Sequence, residues 1–476
     1  MSADNLITFE TPIPVSEAAL AVNGRVFAGK GSGYIGSVTN DSRLCCKDTL
    51  FVALRGEKAD GHSYIVSALQ NGASCALCER EVILSENLSG DLIIVPDAFE
   101  ALLKLGAYRK SQLKLLTVGI TGSVGKTTTK ELTASVLGVR YNVCRTIGNL
   151  NSLIGMPMML LSLRSDHTAL VLEMGMSEQG EIAKMSSAAQ PDYAFVTNIG
   201  SSHIEYFGSR EGIRDAKLEI AGGIKDGGFL ILNGDEPLLD DVKDSRINLL
   251  RVSAHGSGDI LISNIHSDGE RTAFNLSVCG QRLDSLIIPV LGSHNAFNAA
   301  YAAAAGVLIG LTYDEIASGL MNFKSPDMRQ NIYSIHDLHI IEDCYNASPE
   351  SMKAALKVLR DTAERHGGRA IAVLGEMREL GTHSERLHFE VGLAAAHAGV
   401  GMLYVFGKAA LPILDGARSG GLPVSSTMYF PELDDFEALA NAVYDGSRSD
   451  DTVLFKASRA VALERVISSL RLRLVK

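Results

Sequence analysis

Basic residues are in the minority in this chain. Lys and Arg number 44 against 55 Asp and Glu, which leaves a formal net charge of −11. No Lys/Arg cluster is long enough to form the basic face that a protein coating nucleic acid requires, so we expect no nucleic-acid partner. The acidic balance does not exclude a small phosphate-bearing ligand, because one glycine-rich loop can hold a phosphate whatever the net charge.

Long apolar runs, a secretory leader and a disulfide framework are also missing. The most apolar stretch, 299–311, is alanine-rich and too short to span a membrane, so it predicts a buried helix. Residues 1–15 have neither a basic start nor an apolar segment typical of a leader. The seven scattered cysteines are typical of reduced thiols, and Cys75 and Cys78 lie in an apolar, strand-like stretch. We therefore expect a cytoplasmic protein without membrane insertion, and a monomer.

Length and composition indicate a globular protein with about three domains, at roughly 100–200 residues each. Glycines outnumber prolines 46 to 12, which fits the many strand-to-helix turns of α/β folds. Strands and helices alternate in three blocks, and we predict domains at 1–112, 113–325 and 326–476. The first, a small α/β domain, has predicted strands at 49–54 and 91–95 around a helix at 63–72.

The second block predicts a doubly wound, mostly parallel sheet, with strands at 115–120, 169–173, 193–197 and 228–232. The third predicts a Rossmann-like α/β domain, with strands at 339–342, 370–374, 402–406 and 452–455. Its first helix has Ser348 as a candidate N-cap and Pro349 at the first helical position, while Glu350 favours the positive end of the helix dipole.

The strongest chemical signal is a glycine-rich loop between a predicted buried strand and a predicted helix. Glycines let backbone N–H groups turn towards phosphate oxygens, a lysine adds a mobile positive charge, and the following hydroxyl can bind Mg²⁺. Ile120 stands where the longer form of this motif has its first glycine. The shorter pattern still predicts that ATP phosphates are held by Gly122, Ser123, Val124, Gly125, Lys126, Thr127 and Thr128.

Two other nucleotide-binding classes are not supported. A switch GTPase needs a guanine-reading Asn-Lys-x-Asp string downstream of the loop, and the chain has none there. The glycines at 31, 33 and 36 match the spacing of a dinucleotide fingerprint, but segment 37–46 after them is polar and not helical. They predict only a turn.

Polar residues follow two of the central strands. Glu173 ends an apolar strand, and His203 follows the strand ending at Thr197. Because ligands in open α/β sheets lie beyond the carboxyl ends of strands, both side chains could reach a metal beside the phosphates. A solvated strand end for Glu173 and a capping or turn histidine for His203 explain these positions equally well.

Asn295 and Asn298 are three residues apart at the start of the predicted apolar helix, so they share one face. Asparagine is unfavourable inside helices, so helix capping is the default interpretation and ligand contact is the alternative.

Short strings of residues along almost the whole chain resemble the Mur ligases, ATP-dependent enzymes that form amide bonds in peptidoglycan synthesis. Each string alone is weak, and their order and spacing together carry the resemblance. Besides the phosphate loop they are Asp-Ser-Arg at 41–43, Asp-Gly-His at 60–62, Gly-Asn-Leu-Asn at 148–151, Glu-Met-Gly at 173–175, His-Ile-Glu at 203–205, His-Asn-x-x-Asn at 294–298, Asp-x-Tyr-Asn-Ala at 343–347 and Lys-Ala-Ser-Arg at 456–459.

The resemblance implies a reaction and its substrates. It is strongest to the branch that joins D-alanyl-D-alanine to UDP-N-acetylmuramoyl-tripeptide. In that branch the peptide carboxylate is activated by ATP as an acyl phosphate, which the dipeptide amine attacks. The first domain would bind the UDP substrate, the central domain ATP, and the third domain would complete the ATP site and bind the dipeptide.

The resemblance also implies roles for individual residues. Lys126 would hold the outer phosphates, Thr127 and Glu173 would bind Mg²⁺, and His203 would help to hold a second metal ion. Lys217 stands where related ligases carry a carbamylated lysine near the metal. It is therefore a candidate catalytic group, together with Lys126, Glu173 and His203. The remaining candidates are nucleotide contacts from Asn295, Asn298, Arg329 and Asp343, and substrate contacts from Ser42, Arg43, Asn149, Asn151 and Asn346.

Two alternatives stay open. A sibling ligase that adds the third peptide residue also binds a UDP-linked peptide, although the string at 345–349 favours the dipeptide-adding branch. A folate-linked ligase would not need the first-domain strings. A nucleotide-binding protein with the same loop and no ligase activity belongs to a different class, and turnover that depends on a second substrate would distinguish it.

Overall fold

The computed structural model describes residues 6–56, 59–84 and 88–474. The start of the segment tested for a leader, at 1–5, and the predicted end of the third domain, at 475–476, lie outside the described residues. The described chain contains three β-sheets, each formed by one continuous part of the sequence and flanked by helices. Across these described ranges, no helix has both the length and the apolar character needed to cross a bilayer.

The first sheet has six strands in the order β1-β3-β4-β5-β6-β2, with β3 to β6 parallel and an antiparallel strand at each edge. Its elements are β1 Ile7–Pro14, α1 Val15–Ala21, β2 Arg25–Phe27, β3 Tyr34–Thr39, β4 Thr49–Val52, α2 Ile65–Gln70, β5 Cys75–Cys78, β6 Asp91–Ile94 and α3 Ala98–Ser111.

The central sheet has nine strands in the order β15-β14-β13-β12-β11-β10-β7-β9-β8, parallel except for the hairpins of β13, β14 and β15. Its elements are β7 Leu116–Thr121, α4 Lys126–Leu137, β8 Val143–Arg145, α5 Gly155–Leu161, β9 Ala169–Glu173, α6 Glu181–Ala189, β10 Tyr193–Val196, α7 Ile204–Phe207, α8 Arg210–Leu218, β11 Phe229–Asn233, β12 Asn248–Ser253, β13 Ile260–Ser267, β14 Thr272–Val278, β15 Gln281–Ile288, α9 Ser293–Leu308 and α10 Tyr313–Met321.

The third sheet has six strands in the order β16-β17-β21-β18-β19-β20, all parallel except the edge pair of β16 and β17. Its elements are β16 Asn331–Ile335, β17 Leu338–Glu342, α11 Pro349–His366, β18 Ala370–Gly375, α12 Ser384–His397, β19 Met402–Phe406, α13 Leu411–Ser419, β20 Thr427–Phe430, α14 Phe436–Gly446, β21 Thr452–Lys456 and α15 Glu464–Leu474.

The structure confirms the predicted three-domain α/β fold with a mostly parallel central sheet. The strands predicted at 169–173 and 402–406 have the predicted bounds, and the others differ at their ends by one or two residues. Ser348 caps α11 as predicted, because its side chain accepts a hydrogen bond from the backbone N–H of Ser351. The residue boundaries of the domains stay a prediction.

The turn predicted around the glycines at 31–36 is only partly correct. Gly36 belongs to β3, because this segment pairs with β1 on one side and β4 on the other. The backbone N–H of Gly31 donates to Asp91 Oδ1 at 2.9 Å, so the loop encloses a carboxylate of its own domain. Segment 37–46 ends this strand and contains one short 3-10 turn, Ser42–Leu44.

Small residues allow close packing of the helices beside the central sheet. Of the apolar stretch predicted as a buried helix, 299–308 lies in α9, where the alanines at 299, 300 and 302–305 are buried, and 309–311 follows the helix. Gly319 of α10 lies so close to α4 that an added Cβ would be 2.5 Å from Val136 Cα. This backbone contact leaves no room for a side chain, because protein interiors pack at crystal-like density.

We predict that Gly319→Ala lowers the midpoint of thermal unfolding by several degrees. Overpacking a close contact costs about 1–3 kcal/mol of stability. In a domain of this size, each kcal/mol lost lowers the unfolding midpoint by about 2–4 °C. Gly222→Ala is the control, because a Cβ at Gly222 has no neighbour within 4 Å. Equal midpoints for the two variants in differential scanning calorimetry would contradict this prediction.

Candidate active site

The glycine-rich loop turns tightly between β7 and α4. Gly122 and Gly125 have φ values of 149° and 85°, which side chains rarely adopt. A Cβ at Gly122 would collide with Thr197 Oγ1, and one at Gly125 would lie 2.5 Å from Asn298 Oδ1. Glycine is therefore required at both positions by the backbone and by the side chains packed behind the loop.

Asn198 holds the tip of this loop. Its side-chain oxygen accepts hydrogen bonds from the backbone N–H groups of Ser123, at 3.0 Å, and Val124, at 2.8 Å. The backbone N–H of Gly200 donates to Ser123 Oγ at 2.9 Å. No role was predicted for Asn198 from the sequence, although it lies two residues after the end of β10, where the rule that ligands lie beyond strand ends applied equally well.

The first turn of α4 meets the end of β9 at the predicted metal site. Thr127 Oγ1 donates to Glu173 Oε2 at 2.8 Å, and Asn151 Nδ2 donates to Glu173 Oε1 at 2.9 Å. Glu173 is buried and its backbone N–H is held by Thr146 Oγ1 at 3.0 Å. This arrangement excludes the alternative of a solvated strand end for Glu173.

Two lysines lie close together beside the loop. Lys126 Nζ donates to the carbonyl of Gly122 at 2.7 Å, and burial lowers its pKa, against the opposing charge of Glu173. Lys217 of α8 is 1% exposed, and burial lowers its pKa well below the usual value, with a further contribution from the nearby charge of Lys126. For Lys217, the lowered pKa means a larger neutral fraction than in an exposed lysine, and the neutral amine is the nucleophilic form.

Asn295 and Asn298 do not cap their helix. The N-cap of α9 is Gly292, with no side-chain cap. Asn298 Nδ2 donates to Asn295 Oδ1 at 3.0 Å, and Asn298 Oδ1 accepts from Thr129 Oγ1 of α4 at 3.1 Å. The default interpretation of capping was therefore wrong, because tertiary contact with α4 takes up the side chain of Asn298.

The third domain brings further charged groups to the same place. The guanidinium of Arg329 stacks over the Tyr345 ring, 4.2 Å from its centroid. Asp343 Oδ2 is 2.6 Å from Lys456 Nζ, which also donates to the carbonyl of Asn346 at 3.2 Å. The positive charge of Arg329 contributes to lowering the pKa of Lys126, so it lies close enough to the phosphate loop to affect it electrostatically.

His203 lies at the domain junction in a left-handed backbone conformation, with φ of 67°. It precedes α7, and its side chain does not cap that helix. Its Nδ1 is 2.5 Å from Glu379 Oε2 of the third domain, although this approach is not aligned as a hydrogen bond. The contact with His203 lowers the pKa of Glu379.

A cavity of about 470 Å³ lies between the central and third domains. It collects most of the predicted catalytic and nucleotide-binding residues, and adds the unpredicted residues Asn198, Gln330 and Glu350. The predicted residues that line it are Ser123, Val124, Gly125, Lys126, Thr127, Thr128, Asn151, Glu173, His203, Asn295, Asn298, Arg329, Asp343 and Asn346.

Five predicted residues lie outside this lining. Gly122 and Lys217 stand behind it, and Asn149 is exposed on a turn. Ser42 and Arg43 belong to the first domain, where Arg43 Nη2 pairs with Asp41 Oδ2 at 2.5 Å. Ser42 is buried and its carbonyl accepts from Asn71 Nδ2 at 2.9 Å.

The residues at the predicted metal site fit magnesium better than they fit a metal ion whose ligands are all protein side chains. Within 6–56, 59–84 and 88–474, no group of three or more His, Cys, Asp or Glu side chains is placed to hold a metal ion. Magnesium takes oxygen ligands and usually keeps one or two carboxylates together with substrate phosphates and waters. Thr127 and Glu173 supply such oxygens beside the phosphate loop.

Family models match all three parts of the chain. The Mur ligase family catalytic domain matches residues 34–110, the Mur ligase middle domain matches 120–306, and the Mur ligase glutamate ligase domain matches 328–459. The chain belongs to the Mur ligase family, which confirms the resemblance carried by the sequence strings.

Individual relatives cover nearly the whole chain. The UDP-N-acetylmuramoyl-tripeptide--D-alanyl-D-alanine ligase of Bacillus subtilis is 38% identical over 438 residues, which cover 92% of this chain and 93% of that one. A crystal structure of MurF from Acinetobacter baumannii matches with a TM-score of 0.88 and 30% identity, covering 98% of this chain and all of that one. MurF from Thermotoga maritima in complex with ADP matches with a TM-score of 0.81 and 30% identity, covering 92% and 97%.

We predict that Asn198→Ala weakens ADP binding about 30-fold, because it removes two hydrogen bonds, each worth about 1 kcal/mol, that hold the loop tip. Asn322→Ala at the exposed end of α10 is the control. Isothermal titration calorimetry with ADP and Mg²⁺ measures both affinities. An Asn198→Ala affinity equal to that of the control would show that the loop keeps its shape without this side chain.

Proposed function

We propose that this chain is an ATP-dependent ligase that joins D-alanyl-D-alanine to UDP-N-acetylmuramoyl-tripeptide in peptidoglycan precursor synthesis. The observation that carries the proposal is the cavity at the domain junction, where the phosphate loop and Glu173 face Arg329 and Asp343. Membership of the Mur ligase family and high-coverage relatives with this activity in their names support it.

ATP would lie along the loop with its phosphates at the N-terminus of α4, where backbone N–H groups and the helix dipole favour negative charge. Lys126 would contact the outer phosphates, Thr127 and Glu173 would hold Mg²⁺, and His203 would help to hold a second metal ion. Bound Mg²⁺ would neutralise charge that builds up on the transferred phosphoryl group. Asn295, Asn298, Arg329 and Asp343 would contact the rest of the nucleotide.

The reaction activates a carboxylate that is otherwise a poor electrophile. The terminal carboxylate of the UDP-linked peptide would accept the γ-phosphoryl group, giving an acyl phosphate and ADP. The amine of D-alanyl-D-alanine would then attack the carbonyl carbon, and the tetrahedral intermediate would expel phosphate and form the amide. Most of the catalytic effect would come from positioning and charge neutralisation by the residues around the cavity, including Lys126 and Arg329.

The two ends of the UDP substrate would be held by different domains. Ser42 and Arg43 would contact the UDP end in the first domain, and Asn149, Asn151 and Asn346 would guide the peptide towards the phosphate loop. Asn151 is the best supported of these, because it lines the cavity and donates to Glu173. We also propose a cytoplasmic monomer with domains at 1–112, 113–325 and 326–476, and Lys217 as a supporting group near the metal.

A phosphate-release assay with single omissions tests the function. Purified protein should release phosphate only when ATP, Mg²⁺, UDP-N-acetylmuramoyl-tripeptide and D-alanyl-D-alanine are all present, because the acyl phosphate needs the amine to turn over. Release that does not depend on the dipeptide would contradict the substrate assignment. No release under any condition would favour a nucleotide-binding protein without ligase activity.

We predict that Lys126→Ala lowers kcat at least about 100-fold, because it removes a cation aimed at the transferred phosphate. Binding of the UDP substrate should stay within about twofold, since its UDP end would be held by the first domain, away from Lys126. Calorimetric titration with that substrate measures the second quantity. Parallel loss of turnover and UDP-substrate binding would show that the two sites are not separate.

A further inference from the structure

Glu350, in the first turn of α11, crosses the domain junction and lies on the loop that follows β10. Its Oε1 accepts a hydrogen bond from the backbone N–H of Ser201 at 2.9 Å. Its Oε2 is buried and has no hydrogen-bond partner among the residues that the structure describes. The carboxylate therefore gains one charge-assisted hydrogen bond and leaves one oxygen desolvated, and these two effects on the stability of the contact oppose each other.

Gly200 makes this contact possible. A Cβ at Gly200 would lie 2.8 Å from the carboxyl carbon of Glu350, and its three nearest atoms would all belong to that carboxylate. Gly200 is not at a positive φ, so the strain from an alanine there would come from this approach to Glu350 and not from the backbone conformation.

The loop under Glu350 is the one that holds the phosphate loop. Asn198 accepts from the backbone of Ser123 and Val124, and Gly200 donates to Ser123 Oγ. Glu350 is thus connected to the phosphate loop through Ser201, Gly200 and Ser123.

A second carboxylate of the third domain holds the far end of the same segment. Glu379 Oε2 lies beside His203 Nδ1, and the carbonyl of Glu379 accepts from the backbone N–H of Glu205 at 3.3 Å. The segment 198–205 therefore contacts the phosphate loop on one side and the third domain on the other. Its position depends on whether the two domains are together.

We propose that Glu350 is a positioning residue for phosphoryl transfer, which sets the phosphate loop through Gly200 and Ser201 when the third domain contacts the central domain. The proposal rests on the proposed function for its kinetic consequence. In this role Glu350 would act through the loop and not by contact with the reacting atoms. The geometry of the phosphate loop, and therefore the rate of turnover, would then depend on contact between the central and third domains. The same contact would bring Arg329 to the nucleotide.

Kinetics of variants test this role. Glu350→Ala should lower kcat by about 10- to 100-fold, the range expected for a displaced catalytic loop, with each substrate KM within about twofold. Glu350→Gln should recover most of the loss, because its amide oxygen can still accept from Ser201. Glu364→Ala is the control on the same helix. The side chain of Glu364 is exposed and takes part in a long surface ion pair with Arg360, at 3.9 Å.

A double-mutant cycle separates this contact from a general packing effect. Gly200→Ala should lower kcat in the native background, since its Cβ displaces the carboxylate, and should have no further effect in the Glu350→Ala background. If the losses in kcat from the two single substitutions multiply in the double variant, the proposal is wrong. A raised KM for D-alanyl-D-alanine with unchanged kcat would also overturn it, in favour of direct substrate contact.

Hydrogen exchange gives a readout that does not need turnover. With ADP and Mg²⁺ bound, the amides of 121–128 and 198–203 should exchange faster in Glu350→Ala than in Glu364→Ala, at equal thermal stability. Equal exchange would contradict the proposal. A wild-type protein without dipeptide-dependent phosphate release would contradict the proposed function alone, and the exchange comparison would still decide the role of Glu350.

Discussion

The close contact between the phosphate loop and the side chains behind it is the constraint on which the site depends. The loop follows β7, while Thr197 follows β10 and Asn298 belongs to α9, so three separate elements meet behind Gly122 and Gly125. Only a residue without a Cβ lets the loop approach them. The shape of the loop therefore depends on the parallel sheet and on α9, and the oxygens of Thr127 and Glu173 lie together beside it.

The site also depends on the contact between the central and third domains. The central domain supplies the phosphate loop, and the third domain supplies Arg329 and Asp343 to the same cavity. The contacts of the segment 198–205 link these two halves, because one side of it holds the backbone of Ser123 and the other meets the third domain. Domain position and loop geometry are therefore physically coupled, which suits a reaction that must exclude water from an acyl phosphate.

Prediction from the sequence succeeded where the signal is local. Apolar runs bounded by glycines predicted the parallel strands, since strands buried on both faces are continuously hydrophobic. It missed the edge of the central sheet, β13 to β15, where β14 alternates buried and half-buried residues and the strands pair antiparallel. The roles of Asn198 and Glu350 were also missed. An asparagine after a strand is equally typical of a turn, and a glutamate in the first turn of a helix is equally typical of a helix start.

The sequence by itself determined the three α/β domains, the phosphate loop, the candidate Mg²⁺ ligands and the family, because these depend on local hydrophobic pattern and on short strings of fixed spacing. Tertiary structure alone decided what each polar side chain contacts. It showed that Asn298 contacts α4 and does not cap α9, that Glu379 meets His203, and that Glu350 lies on Gly200. The physical reason is distance along the chain: these partners are brought together only by strand order and domain packing, which local sequence does not encode.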